Sequence, residues 1–250
     1  MDARAVLARY DAEIRADPPA EAGVERRWAE GVLRTVGAYN FIGWWDFPAE
    51  AARSAAAREA AFFAGKEVEW KVYSHDRPPG LDDALAAAGF EKGERETFLA
   101  LDLDGNVPLH DPPAGIEVRE VLAAAGAADL VAVSDAAFGR AEPWRLEALI
   151  ARFGDPTQAL FVAYDGERPV SSGRLELAPG KAFAGLYGGG TVPAYQGRGV
   201  YSALVAARAA EARRRGHRYL TVDARETSRP ILERLGFAPL ATIHGWTLGG

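Results

Sequence analysis

The chain of 250 residues contains no cysteine, which excludes disulfides, thiolate metal sites and a cysteine nucleophile, and makes the cytosol the expected compartment. No stretch reaches the roughly 18 consecutive apolar residues that a membrane-spanning helix needs. The N-terminal segment MDARAVLARYDAEIRADPPAE is amphipathic and broken by charge every few residues, so it lacks the apolar core of a signal peptide. An excess of positive charge is also missing: 29 Lys and Arg face 35 Asp and Glu, a formal net charge of −6. Nucleic-acid binding draws its affinity from clustered Lys and Arg, so neither nucleic acid nor membrane is an expected partner, and an amine-bearing substrate suits the field better. What remains is the balance of a soluble globular protein, 48% hydrophobic and 26% charged, long enough for one large domain or two small ones.

A composition shift marks Leu101–Gly115, LDLDGNVPLHDPPAG, where prolines and acidic residues separate two strand-like runs. We therefore expect an N-terminal domain over 1–103, a linker over 104–115 and a C-terminal domain over 116–250. In the first, helices are expected at Ala3–Ala16 and Glu21–Glu30, a strand over Gly31–Phe47, a helix after Pro48, the strand VEWKVYS, the short helix LDDALAAAGF and the strand RETFLALDL. In the second, strands are expected at 116–119, 159–164, 170–177, 182–192, 219–224 and 241–248. Helices are expected there at 123–137, 143–153, 199–215 and 228–235. The sum is a mixed α/β fold, or α+β, with a mixed central sheet flanked by helices. The halves echo each other in element order, and Gly89-Phe90 matches Gly236-Phe237 at the end of a short helix, which favours a degenerate tandem repeat over common helix-ending punctuation.

The most informative segment is GGGTVPAYQGRGVYSALVAA, from Gly188 to Ala207: a glycine-rich strand end, a tight turn, then a helix. A helix N-terminus offers unpaired amides and the positive end of its dipole to an anion. Gly197 and Gly199 remove side chains that would block a pyrophosphate, and Arg198 adds charge. The run Gln196-Gly197-Arg198-Gly199-Val200-Tyr201 resembles the acyl-CoA pyrophosphate motif of the GNAT superfamily: Gln or Arg, two residues, Gly, one residue, then Gly or Ala. Tyr201 departs from that last position, and its bulk is expected to narrow the space beside the first helical turn. Thr191-Val192-Pro193 resembles the superfamily's splayed strand end, YLTVDA its next strand, and SRPILERLGF its short fourth helix. The resemblance covers roughly 116–248. It implies a complete acyl-CoA-binding GNAT domain preceded by a truncated, degenerate GNAT-like half, an N-acetyltransferase activity using acetyl-CoA or another acyl-CoA without a metal, and an amine acceptor of small-molecule or peptide type. Cofactor-binding residues implied are Thr191, Val192, Gln196, Gly197, Arg198, Gly199, Val200, Tyr201 and Ser228. No Walker-type Gly-Lys-Ser/Thr ending supports another nucleotide fold. The N-terminal half places Asp46 and Glu50 where phosphate would need donors, so no CoA is expected there.

Acyl transfer from a thioester to an amine requires a neutral amine, a stabilised oxyanion and a protonated leaving thiolate. Val192 N–H is the implied oxyanion donor. The superfamily's usual tyrosine on the fourth helix is missing, with Leu232 in its place, and Ser228 and Tyr201 are the hydroxyls left to act as acid; Ser228 reads equally as a helix N-cap. No carboxylate lies in 182–192, so Asp223 and Glu226 are the candidate bases, or else solvated charges. Of the histidines, His217, His110 and His75 lie away from the expected sulfur, and His244 is either half-buried structure or cleft-facing. Trp44, Trp45 and Tyr39 read as core or interface, or as an aromatic face for a cationic acceptor. The missing acid and base leave a second class open: a non-catalytic acyl-CoA sensor or interaction module. Monomer and homodimer are both compatible with a tandem plan.

Overall fold

The computed structural model describes residues 1–249 other than 106, 108, 109 and 140–143, and divides into two units that interleave along the chain. The first comprises Met1–Phe98, Asp223–Thr227 and Pro239–Gly250; the second comprises Leu99–Val222 and Ser228–Ala238. Parts of the expected linker, and Pro143 at the head of an expected helix, lie outside the described residues. Among the described residues no helix is long and apolar enough to cross a membrane.

The first unit begins with helix α1 (Ala3–Tyr10), whose N-cap Asp2 accepts the amides of Arg4 and Ala5 at 3.0 and 3.3 Å, and a π-helical turn at Asp11–Arg15 continues it. The helix expected at Glu21–Glu30 is instead strand β1 (Val24–Ala29), antiparallel to β2 (Val32–Gly37). Glu30 and Gly31 make the connecting turn at φ 47° and 78°. A two-residue turn with both φ values positive matches the twist of paired strands, and hairpin pairing overrides the weak helix propensity of a short charged segment. The single strand expected over Gly31–Phe47 is likewise two, β2 and the antiparallel β3 (Phe41–Trp45). Helix α2 (Ala52–Phe62), β4 (Val68–Tyr73), α3 (Leu81–Ala87) and β5 (Glu91–Asp102) follow. Strand order in this unit is β1-β2-β3-β4-β11-β5, with β11 (Ala238–Leu248) antiparallel to β4 and β3 parallel to it. Trp70, Trp45, Phe63, Leu85, Phe90 and Trp246 fill one side of this sheet. Tyr10 packs on the other, its ring 4.4 Å from that of Phe98.

The second unit contains β6 (Ile116–Glu120), α4 (Ala124–Phe138), α5 (Trp144–Ala151), β7 (Gln158–Asp165), β8 (Arg168–Leu177), β9 (Phe183–Thr191), α6 (Val200–Arg214), β10 (Tyr219–Ala224) and α7 (Arg229–Arg234). Here the order is β5-β10-β9-β8-β7-β6; β6 to β9 form an antiparallel meander, and β10 is parallel to β9. Successive β9 residues point to opposite faces. A Cβ on Gly190 would lie 2.8 Å from Ala137 of α4, and one on Gly189 would lie 3.2 Å from the guanidinium of Arg208 on α6. The glycines thus let a helix approach closely on each side. Both units are mixed sheets flanked by helices, as expected.

The two short helices singled out for their Gly-Phe endings terminate alike. Gly89 and Gly236 have φ of 92° and 93°. The amide of Phe90 returns to Leu85 O at 3.0 Å, and that of Phe237 to Leu232 O at 3.1 Å. Each is a left-handed helix stop that seats an aromatic in its own unit's core, Phe90 at 4% and Phe237 at 3% exposure.

Candidate functional site

Strand β9 leads into the turn that the sequence singles out. Val192 leaves the strand extended, Pro193–Tyr195 make one 3-10 turn, and Gln196 is extended at φ −65° and ψ 150°. Gly197 and Gly199 then take φ of 72° and 80°. Left-handed residues of this kind let successive amides converge on an anion, and side chains there are strained. Space around the turn is open: a Cβ at Gly197 would meet nothing within 4 Å, and one at Gly199 only Pro113 Cγ at 3.3 Å. Gly199 is the N-cap of α6 and no side chain caps the helix, so its leading amides and the positive end of its dipole stay available. A backbone cradle without side chains at the head of a long helix fits a pyrophosphate.

The rest of the motif holds the turn in shape. Gln196 Nε2 donates to Thr191 O at 3.1 Å, Tyr195 donates its hydroxyl to Asp165 at 2.7 Å, and Arg198 stacks over the Tyr195 ring at 4.5 Å. Val200, 1% exposed, anchors the helix beneath among Tyr195, Val170 and Ala163. Thr191 Oγ1 is 2.8 Å from Ser171 Oγ, which itself donates to Gly190 O at 2.7 Å.

Further up, β9 is bare on one edge and irregular on the other. Its parallel register with β10 ends at Thr221↔Gly185, although β9 runs on to Thr191. Against β8 the register jumps from Ser172↔Gly190 to Arg174↔Tyr187, leaving Gly188 and Gly189 opposite Gly173 alone, a bulge with Gly188 at φ 57°. Val192 N–H, the expected oxyanion donor, already donates to Val170 O at 3.0 Å. The stretch of β9 backbone that leaves the regular ladder is Gly188–Gly189 instead.

Tyr201 does not crowd the turn as its bulk suggests. Its ring folds under α6 toward β9, with Cε2 3.1 Å from where a Cβ on Gly189 would stand. Burial raises its phenol above the usual value, and the charge of Arg208 pulls it partly back. Ser228 holds the N-cap position of α7 without a side-chain capping bond, while its carbonyl accepts the amides of Ile231 and Leu232. Leu232, where the resemblance leads one to expect a tyrosine, is fully buried.

The two candidate bases fall in the other unit. Asp223 accepts from Lys71 Nζ at 2.8 Å, both side chains being less than a fifth exposed at 18% and 17%. Burial lowers and the Asp223 carboxylate, foremost among the charges around it, raises the Lys71 ammonium, with a net upward shift. Burial and then the Asp223 charge push Tyr10 up to about 12. Glu96 is raised by burial and by like charge from Asp223 and Glu69, against Lys71 and Arg225. Glu226 is exposed. Three of the histidines make structural contacts or are buried: His75 pairs with Asp11 at 2.8 Å, His244 Nδ1 lies 3.3 Å from Gly93 O, and His217 is buried with its pKa lowered by desolvation; His110 is exposed. Trp44 and Trp45 do face a cation, the chain's own Arg15, at 5.2 and 5.8 Å, and Tyr39 donates to Glu21 at 2.7 Å. No group of three or more His, Asp or Glu suited to a metal occurs among the described residues.

Sequence reasoning passes over Lys71, Glu96 and Arg208. Only Arg208 leaves a signal, a charge on the Val200–Leu204–Arg208 stripe that α6 otherwise buries.

Residues 128–237 match the family model of the Acetyltransferase (GNAT) family. A GCN5-related N-acetyltransferase from Kribbella flavida is similar in structure at TM-score 0.68 and 17% identity, over 99% of this chain and 94% of its own. A tandem GNAT protein from the clavulanic acid biosynthesis pathway matches at 0.66 and 16%, over 98% and 93%, and a GCN5-related N-acetyltransferase from Sphaerobacter thermophilus at 0.65 and 17%, over 98% and 91%. At these identities the likeness is one of fold. No relative was found among curated protein sequences. Residues 128–237 thus match the GNAT acetyltransferase family, and the chain shares the fold of GCN5-related N-acetyltransferases along its length.

Proposed function

We propose that this protein is an acyl-CoA-dependent N-acyltransferase that moves an acetyl or related acyl group to a primary amine of a small molecule or peptide. The observation that carries this reading is the open Gln196–Gly199 turn at the uncapped head of α6, directly after a strand whose pairing with β10 has ended. Acyl-CoA would supply an acyl group activated as a thioester. The amides of Gly197 to Tyr201 and the Arg198 charge would hold its pyrophosphate, with Thr191 and Val192 lining the arm. Because Val192 N–H is engaged by Val170, the thioester carbonyl is better served by the amides of the Gly188–Gly189 bulge. Asp223, tied to Lys71, and Glu226 are the candidate bases, and an amine that arrives neutral needs little more than placement. The 1–103 segment reads as a degenerate GNAT-like half, joined by 104–115 to the acyl-CoA domain at 116–250.

Two observations favour a second reading, a non-catalytic acyl-CoA sensor: buried Leu232 where the resemblance leads one to expect a tyrosine, and the Lys71–Asp223 pair. Calorimetric titration with acetyl-CoA, followed by thiol release against a panel of primary amines, separates the two. Binding with release supports the transferase and binding without release the sensor, whereas no binding removes both.

A further inference from the structure

Arg208 is a fully buried cation without a carboxylate among its hydrogen-bond partners. Its Nε donates to Leu204 O at 3.2 Å and its Nη1 to Arg174 O at 3.3 Å, while Nη2 is buried with no hydrogen-bond partner among the described residues. Its seat is cut into the sheet. A Cβ on Gly173 would lie 2.6 Å from Nη1, and one on Gly189 would lie 3.2 Å from Nη2 and 3.1 Å from the Tyr201 ring. Two glycines on neighbouring strands therefore admit a guanidinium and a phenol side by side beneath the bulge. Burying an unpaired charge is costly, and an apolar side chain of similar volume would hold the helix to the sheet as well.

We infer that Arg208 is a positioning residue: it holds the Tyr201 phenol under the Gly188–Gly189 bulge as proton donor to the thiolate that leaves in acyl transfer. The inference rests on the transfer reaction proposed above. As the amine nitrogen bonds to the acyl carbon and the carbon–sulfur bond breaks, the electron pair of that bond leaves on sulfur and the phenolic proton passes to it. The phenolate is held by the guanidinium, and the proton given up by the amine nitrogen returns to it through solvent. Burial alone would make the phenol a poorer acid, and Arg208 is the charged group that opposes this. Arg174, whose carbonyl accepts from Arg208, has its own guanidinium paired with Glu176 at 2.7 Å and stacked over Tyr187.

The test begins without ligand. Tyr201 is followed by carbon-13 labelling of tyrosine, with Tyr201→Phe used to assign its signal, across a pH titration of the wild type, Arg208→Lys and Arg208→Met. We expect ionisation in Arg208→Met to move up by about one pH unit or more, a tenfold change in the ionisation constant, with Arg208→Lys between. Thermal unfolding of Arg208→Met should be unchanged or higher. In turnover, Arg208→Met and Tyr201→Phe should lower kcat with little change in KM, and the double variant should be no slower than either. A Tyr201 titration that ignores Arg208, or a Tyr201→Phe variant with wild-type kcat, overturns the inference. Should Arg208→Met fail to fold, Arg208→Lys alone must show the upward shift or the inference falls. Loss of acetyl-CoA binding or thiol release in the wild type would instead overturn the transfer reading, independently of the titration.

Discussion

Replacing Gly199 by valine separates the cradle from its fold. Gly199 has φ 80°, where a side chain costs about 1–2 kcal/mol, and the new Cβ would also meet Pro113 Cγ at 3.3 Å. Gly65, just past the end of α2, has nearly the same φ of 74° with nothing within 4 Å, so Gly65→Val carries the strain without the site. Each variant should lose stability by about the same 1–2 kcal/mol, a melting shift of roughly 2–8 °C for a chain of this length. Affinity should separate them. A β-branched side chain over the head of α6 blocks at least one amide–phosphate hydrogen bond, about 1.5–3 kcal/mol for a charged acceptor. That corresponds to a dissociation constant weakened roughly ten- to hundredfold. Calorimetric titration of acetyl-CoA into the wild type and both variants, beside thermal unfolding, reads both quantities. Unchanged affinity in Gly199→Val, or equal losses in the two variants, would refute the site assignment.

Other substitutions test the electrostatics. Lys71→Met leaves Asp223 half of a buried pair and should cost about 3–5 kcal/mol in chemical denaturation, with much of the loss recovered by adding Asp223→Leu. Glu96 has a raised folded pKa, so the native state binds more protons than the unfolded one, and stability from this group falls as pH rises through its folded value. Glu96→Gln should therefore raise the melting temperature near neutrality, and the gain should vanish below the ordinary carboxylate pKa. Glu211 is the opposite case, lowered to about 2 by hydrogen bonds from Arg214 and Arg215. Its contribution is present above the unfolded pKa and lost as pH falls toward about 2, so Glu211→Gln should destabilise at pH 7 and converge with the wild type in strong acid.

Much of the second unit is legible because its signals are local. The β9–turn–α6 junction is written in consecutive residues, and the left-handed glycines that make it open are the same ones that make it recognisable. The first unit is less so. VERRWA pairs with VLRTVG through a turn whose first residue, Glu30, carries no mark of its positive φ, so a hairpin reads as a helix followed by a long strand. Assignments that depend on distant pairing are also hidden. β11 lies beside β4, and Asp223 answers a lysine 152 residues away. A candidate base can be named from its position after a strand, but its partner cannot. The same holds for Val192: the sequence places its amide at the strand end, and only the fold supplies Val170 O as acceptor.

The matching Gly-Phe helix endings bear on how many cofactors the chain should hold. Repetition of an element order does not repeat a binding site, because the pyrophosphate cradle depends on open backbone at one junction. In the first unit the corresponding junction runs from β3 through Asp46, Phe47 and Pro48 to α2. There the Asp46 amide donates to Gly31 O at 2.7 Å, and a Cβ on Gly31 would lie 2.5 Å from Asp46 O, so the backbone is closed against its neighbour. No residue from Asp46 to Ala52 has a positive φ, and the acidic side chains of Asp46 and Glu50 replace the Arg198 charge. Both features oppose a phosphate. Titration should therefore saturate at one acetyl-CoA per chain, and Gly199→Val should remove that single event. A second saturable event surviving Gly199→Val would mean that the first unit binds acyl-CoA by amides other than those of this junction.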